Sequence, residues 1–289
     1  MRMRRVYPPA GGRSGGCGGR GVLPLLGVKV ALSIAGSDPT GGAGLQADLQ
    51  VFRALGVHGA GVITALTVQD SAKVVSVLPA FPNVVLEQLR TLLDDVPPDA
   101  VKLGMLATDD VARNVELGLE ALDAARRVPI VVDPVLAASD GTPLLERRAW
   151  GKLLDLVGRA TLVTPNLPEA AALTGCDVST REGAEAAATT LVAEIGARAA
   201  LVTGGHREGS PDDLLALREG GSTSFHWLPG EQIEAGSVHG TGCALASAVT
   251  AHLALGADLR DAVIAARRFV ADGLRRAELL GRRARFLGF

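Results

Sequence analysis

Apolar segments too short to be helices alternate along this chain with segments of helical spacing, and that alternation limits the fold more than any other feature. Residues 28–34, 61–67, 100–103, 130–132, 162–164 and 199–203 are rich in Val, Leu, Ile and Ala. Gly, Asp, Asn or Pro follow most of them, so they read as short strands of a covered sheet. Between them, residues 45–55, 83–93, 109–125 and 180–195 have the pattern of helices that pack one face on a sheet. Asp109 or Asp110 and Thr180 are the expected caps of the last two. Such alternation gives an α/β fold with a mainly parallel sheet covered on both faces. Residues 213–217 and 224–227 flank Arg218-Glu219-Gly220-Gly221 and read as a β-hairpin. Asp258 caps a final helix expected to reach about residue 280. No linker or repeat interrupts residues 28–280, which form one domain. Residues 281–289 are a basic, unpatterned tail.

Residues 1–27 are different in kind. They are rich in Gly and Arg, contain Pro8-Pro9 and have no periodicity, so they are expected to be disordered. An RNA-binding arm, a targeting segment and a natural start near Val28 all stay open for them. The net charge is −2, and residues 1–27 carry five arginines and no acid, which leaves a body of about −7. An acidic body does not suit nucleic acid. No apolar run reaches the ~20 residues that span a bilayer. Cys17, Cys176 and Cys243 are widely spaced and odd in number, which fits neither a disulfide framework nor a zinc site. The expected location is the cytoplasm, with no membrane partner.

The stretch richest in chemistry is Val238-His239-Gly240-Thr241-Gly242-Cys243, followed by an apolar run to Leu255. It reads as a glycine turn delivered onto the start of a buried helix. The first N–H groups of a helix lack internal partners and carry the positive end of its dipole, so Gly240, Thr241 and Gly242 form an anion site. Cys243 in the first turn sits where that field favours a thiolate or any group that handles a proton. The same pattern also serves as plain helix packing.

Other loops follow strands. Ala35-Gly36-Ser37-Asp38-Pro39-Thr40-Gly41-Gly42-Ala43-Gly44 joins a strand to a helix and is neither a dinucleotide fingerprint nor a P-loop. Its glycines suit close approach of backbone to a ligand, or a tight turn. Gln69 offers an amide donor and acceptor side by side, which matches the edge of an aminopyrimidine or a pyridine. Asp133 ends an apolar strand, where open α/β sheets bind ligands. Asn166 and Glu169 have the spacing of a capping box, and their oxygens also suit Mg²⁺ bridged to phosphates.

Together these segments resemble the hydroxymethylpyrimidine/phosphomethylpyrimidine kinases of thiamine biosynthesis. The likeness runs from Ala35–Asp48 through Val62-Ile63-Thr64-Ala65-Leu66, Gln69, Lys102-Leu103-Gly104-Met105-Leu106 and Asp133-Pro134-Val135. It continues with Thr164-Pro165-Asn166-Leu167-Pro168-Glu169 and Gly204-Gly205-His206, and closes at His239–Cys243, in the family's order. The resemblance implies a ribokinase-like three-layer sandwich. It implies ATP and Mg²⁺, two successive phosphorylations of a hydroxymethylpyrimidine, and a homodimer. By the same resemblance Gln69, Gly36, Ala43 and Met105 contact the pyrimidine. Thr203, Gly204 and Gly205 lie toward the nucleotide, Asp133 and Glu169 organise Mg²⁺ and phosphates, and Gly240–Cys243 serve the transferred group.

Three positions depart from the family pattern. Asp70 stands where Asn is usual, Thr203 where Lys is frequent, and the Arg-rich residues 278–289 replace a Gly- and His-containing end. The rival readings are a vitamin B6 kinase, whose substrates also carry a hydroxymethyl on a six-membered heteroaromatic ring, and a non-catalytic pyrimidine-binding protein.

Overall fold

The computed structural model describes residues 27–123, 128–204 and 211–289. The segment expected to be disordered lies, except for Gly27, outside the described residues. Short strands buried on both faces cannot stand alone, and here they pair into one 9-stranded sheet. Its parallel body is β2 (His58–Gln69), β1 (Val30–Ser37), β4 (Ala100–Leu103), β5 (Ile130–Val132), β6 (Leu162–Val163) and β7 (Ala199–Val202), in that spatial order. The edges are antiparallel. β3 (Val74–Pro79) pairs with the outer half of β2, and the expected hairpin, β8 (Asp213–Glu219) and β9 (Ser222–Leu228), extends the other side.

Side chains alternate across each strand and so feed two cores. Leu32 and Ile34 of β1 join one core, under α2 (Pro82–Asp95), α3 (Asp109–Asp123), α4 (Trp150–Gly158), α5 (Leu167–Thr174) and α6 (Arg181–Thr189). Ala31 of the same strand joins the other, under α1 (Gly44–Ala54), α7 (Thr241–Ala254) and α8 (Leu259–Arg275). The three layers of a ribokinase-like sandwich result. With aromatics at 3% of the chain, Ala, Val and Leu do most of the filling.

Helix ends follow local chemistry. Thr180 and Asp258 cap α6 and α8 as expected, accepting from Gly183 N–H and Asp261 N–H. α6 then continues through a π-helical turn, Thr190–Ile195. The expected cap of α3 is corrected: Asp109 is already helical, and the Thr108 hydroxyl accepts from Val111 N–H. β3, α4 and the 3₁₀ turn before α4 were not expected, although Leu153, Leu156 and Val157 give α4 a buried apolar face.

A larger correction concerns the chain's end. The last helix stops at Arg275 rather than near residue 280. β11 (Glu278–Leu280) and β12 (Ala284–Phe286) form a hairpin, and β12 pairs in parallel with β10 (Val238–His239). Ala284 and Phe286 are buried while Arg285 between them is exposed, so the tail carries a strand's alternation. Among the described residues no helix is long and apolar enough to cross a membrane.

Candidate active site

The parallel strands point their C-terminal ends one way, and the loops that leave them meet there. Beneath this surface lies a buried ionic cluster. Asp48 of α1 is fully buried, and both of its oxygens lie 3.0 Å from the Lys102 ammonium of β4. Ser33 of β1 donates to one oxygen, and Ser247 of α7 donates to the other at 2.6 Å. Burial alone would strip the Lys102 proton, but the Asp48 charge, with Cys243 and Asp133 behind it, holds the pKa above its ordinary value. Lys102 Nζ also stands 3.8 Å from Asp133 Oδ2 at the end of β5.

Asp133 is nearly buried, and its Oδ2 has no hydrogen-bond partner. Burial raises its pKa, and Asp48 adds to this while Lys102 and a hydrogen bond with Cys243 oppose it. Glu169 completes the expected capping box on α5: its Oε2 accepts from Asn166 N–H and Asn166 Oδ1 accepts from Glu169 N–H, each at 2.9 Å. Burial, and then the negative charge of Asp133, push its carboxyl up to about 8. Two carboxyls, the charge of Asp133 opposing ionisation of Glu169 and Asp133 keeping an unused oxygen, fit a divalent cation that also binds phosphate.

α7 starts as expected. Gly240 precedes it at φ 78°, a left-handed conformation that side chains disfavour. No side chain caps the helix, and its first bond runs from Ala244 N–H to the Gly240 carbonyl. The N–H groups of Thr241, Gly242 and Cys243 therefore face out of the helix start. The thiolate expectation is corrected. Burial pushes the Cys243 thiol up to about 12; Lys102 pulls the other way, but Asp133 and Asp48 add to the rise. Burial and the neighbouring carboxylates thus disfavour the thiolate.

The glycine-rich loop is built around Asp38. Its carboxylate accepts from Thr40 N–H (2.8 Å), Thr40 Oγ1 (2.9 Å) and Ala43 N–H (3.0 Å), and meets His239 Nε2 at 2.9 Å. Burial raises its pKa, but His239, Thr40 and the Gln69 amide outweigh that and hold it below the ordinary value. Gln69, at the tip of β2, thus lies beside this loop. Gly36 faces Met105, whose Sδ would stand 2.8 Å from a Cβ there. Asp70 closes the β2–β3 turn by accepting from Ala72 N–H and Lys73 N–H.

The nucleotide side is only partly described. Thr203 bridges to Asn166 at the exit of β7, and its N–H bonds the Pro165 carbonyl. Gly204 N–H is taken by Asp213 Oδ1 at 2.8 Å, leaving it no free donor. Gly205 and His206 lie outside the described residues. Sequence reasoning missed Ser33, Ser247 and the role of Asp38. The available signal was a polar residue at a core position of a strand, another in an apolar helix, and an acid followed by Thr and glycines in a loop.

Fold and site together define an α/β phosphotransferase of the ribokinase-like class. Solved structures of that class align with most of the chain. The phosphomethylpyrimidine kinase from Clostridium difficile 630 has a TM-score of 0.73 at 32% identity, covering 84% of this chain and 98% of its own. Pyridoxal kinase from Staphylococcus aureus in complex with ADP has a TM-score of 0.80 at 32% identity, covering 91% and 93%. A hydroxymethylpyrimidine/phosphomethylpyrimidine kinase of Rhizobium meliloti (strain 1021) is 40% identical over 254 residues, 88% of this chain and 93% of that protein. The thiamine biosynthesis bifunctional protein ThiED of Geobacter sulfurreducens is 40% identical over 252 residues, 87% of this chain but 50% of that longer protein. The family model described as phosphomethylpyrimidine kinase matches residues 38–286. This chain belongs to the phosphomethylpyrimidine kinase family. The match runs through β12, so the Arg-rich end lies inside the family's span.

Two outcomes test this account. Lys102→Met strands the buried Asp48 carboxylate and should cost about 3–5 kcal/mol in urea unfolding, while Lys102→Met/Asp48→Leu should recover most of it. Folding raises the Glu169 pKa from 4.5 to about 8, so the folded protein keeps a proton that the unfolded chain releases. The stability this provides is full below pH 4.5 and is lost as pH rises through about 8. Urea midpoints of the ligand-free protein should fall across that window, and less so in Glu169→Gln.

Proposed function

We propose that this chain transfers the γ-phosphoryl group of ATP to the hydroxymethyl oxygen of 4-amino-5-hydroxymethyl-2-methylpyrimidine, and a second one to the resulting monophosphate, in thiamine biosynthesis. The observation that carries this reading is the uncapped start of α7, with Cys243 in its first turn beside the unpartnered oxygen of Asp133. Phosphoryl transfer demands alignment and neutralisation of charge more than covalent chemistry.

Gln69 reads the pyrimidine edge, and Gly36, Ala43 and Met105 form the slot for the ring. The N–H groups of residues 240–243 stabilise charge on the transferred group. Asp133 and Glu169 hold Mg²⁺, which supplies neutralising charge to the phosphates when bound. Thr203, Gly204 and Gly205 lie toward ATP, with Gly204 acting through its turn rather than its N–H. In the first transfer the hydroxymethyl oxygen attacks the γ-phosphorus and ADP leaves. Its proton is relayed to Cys243 Sγ, which the Lys102 ammonium and the helix start help to ionise in the loaded site. In the second transfer the acceptor is an anionic phosphate oxygen, which needs no base.

The pyridoxal kinases among the solved neighbours support a second reading, phosphorylation of the pyridine hydroxymethyl of vitamin B6. Mass spectrometry of products formed with Mg-ATP decides between them. Mono- and then diphosphate should form from the pyrimidine; product from pyridoxal alone would move the assignment. Cys243→Ala should slow the first transfer by about 10²-fold or more and the second far less. Equal loss in both would remove the relay.

We also place the enzyme in the cytoplasm, as a homodimer. Leu66 and Leu78, paired across β2 and β3, are 51% and 54% exposed, and Val68, Val75 and Phe81 are exposed around them. An apolar edge of this kind suits a second copy of the chain. Leu66→Lys/Leu78→Lys should sediment as a monomer while the unaltered protein sediments as a dimer.

A further inference from the structure

The C-terminal hairpin touches both loops that assemble the site. β12 pairs with the two residues that lead into the phosphate turn, Val238 opposite Arg285 and His239 opposite Phe286. Arg285 N–H also bonds the Ser237 carbonyl at 3.1 Å. The buried Phe286 ring meets His239 edge-on, with centroids 6.0 Å apart at 82°. On its other side His239 holds Asp38, the residue around which the acceptor loop is wrapped. Gly42 of that loop packs so closely on Phe286 and His239 that a Cβ there would collide with both. Gly240 in turn lies against the Gly42 carbonyl. One aromatic side chain near the chain's end thus abuts both halves of the site, and nothing in the reaction itself calls for it.

We infer that Phe286 is a positioning residue: acting through His239 and Asp38, it holds the phosphate turn, residues 240–243, in register with the acceptor loop, residues 36–44. The inference rests on the kinase reading above for its effect on rate, and on geometry alone for its effect on the turn. Displacing reacting groups by about 1 Å costs about 10²-fold in rate. Phe286→Ala should therefore lower kcat for pyrimidine phosphorylation on the order of 10²-fold, with the pyrimidine KM changed less than about threefold. His239→Phe, which breaks the Asp38 contact from the other side, should lose a similar amount. The double variant should be little worse than either alone, because the two act in one chain of contacts. Phe286→Leu, which refills the space, should recover most of the rate.

A second readout does not depend on turnover. Cys243 belongs to the turn that Phe286 holds, so its alkylation by iodoacetamide, read by peptide mass spectrometry with Cys176 as internal reference, reports the turn's position. Phe286→Ala should speed it several-fold. Phe289→Ala removes the stack on Phe269, 5.3 Å between centroids, in the same segment but away from the loops. It should change neither kcat nor alkylation. The inference is overturned if Cys243 alkylates at the same rate in Phe286→Ala and the unaltered protein. It is overturned equally if Phe289→Ala reproduces the losses, or if the losses of Phe286→Ala and His239→Phe simply multiply. If the unaltered protein phosphorylates neither substrate, the kinase reading fails, and the alkylation comparison still decides the role of Phe286.

Discussion

Everything at the site stands on one buried ion pair. Lys102 and Asp48 are both fully buried, and removing either would leave the other charged in a medium that cannot solvate it. The pair is satisfied only when β1, β4, α1 and α7 are all in place, because Ser33 and Ser247 supply its remaining bonds. Ser247 lies one turn below Cys243 on α7. The bond that satisfies Asp48 therefore also fixes how the first turn of α7 is presented. Lys102 sends its leftover field toward Asp133 at the end of β5 and Cys243 at the start of α7. Stability and chemistry share the same charges here.

Above this pair the site shows a division of labour. The strands set positions and contribute few reactive side chains. The loops supply backbone donors. Burial first, and neighbouring charge second, raises the pKa values of Asp133 and Glu169 at the strand ends, so each resists ionising alone.

Much of the fold was legible because each buried strand announces itself by composition and each helix by period. The parallel core, the β8–β9 hairpin, the capping box of α5 and the start of α7 all carry local signals. What escaped was non-local. Residues 278–286 looked unpatterned because strands of three residues offer one alternation each, and their meaning depends on pairing with Val238 and His239 about forty residues earlier. The protonation of Cys243 escaped for a related reason. A helix start taken alone favours a thiolate, but the dehydrated neighbourhood and two nearby carboxyls reverse that preference. The Asp38–His239 contact joins residues 201 positions apart, which no window along the chain can see.

The placement of β12 also sets a timetable. The chain is made from its N-terminus at about 5–20 residues per second, so a chain of this length takes about 15–60 s. All nine strands of the sheet are translated by residue 228, α7 and α8 follow, and β10 then waits for β12 at residues 284–286. The turn that leads into α7 gains its strand neighbour only after both helices have been made.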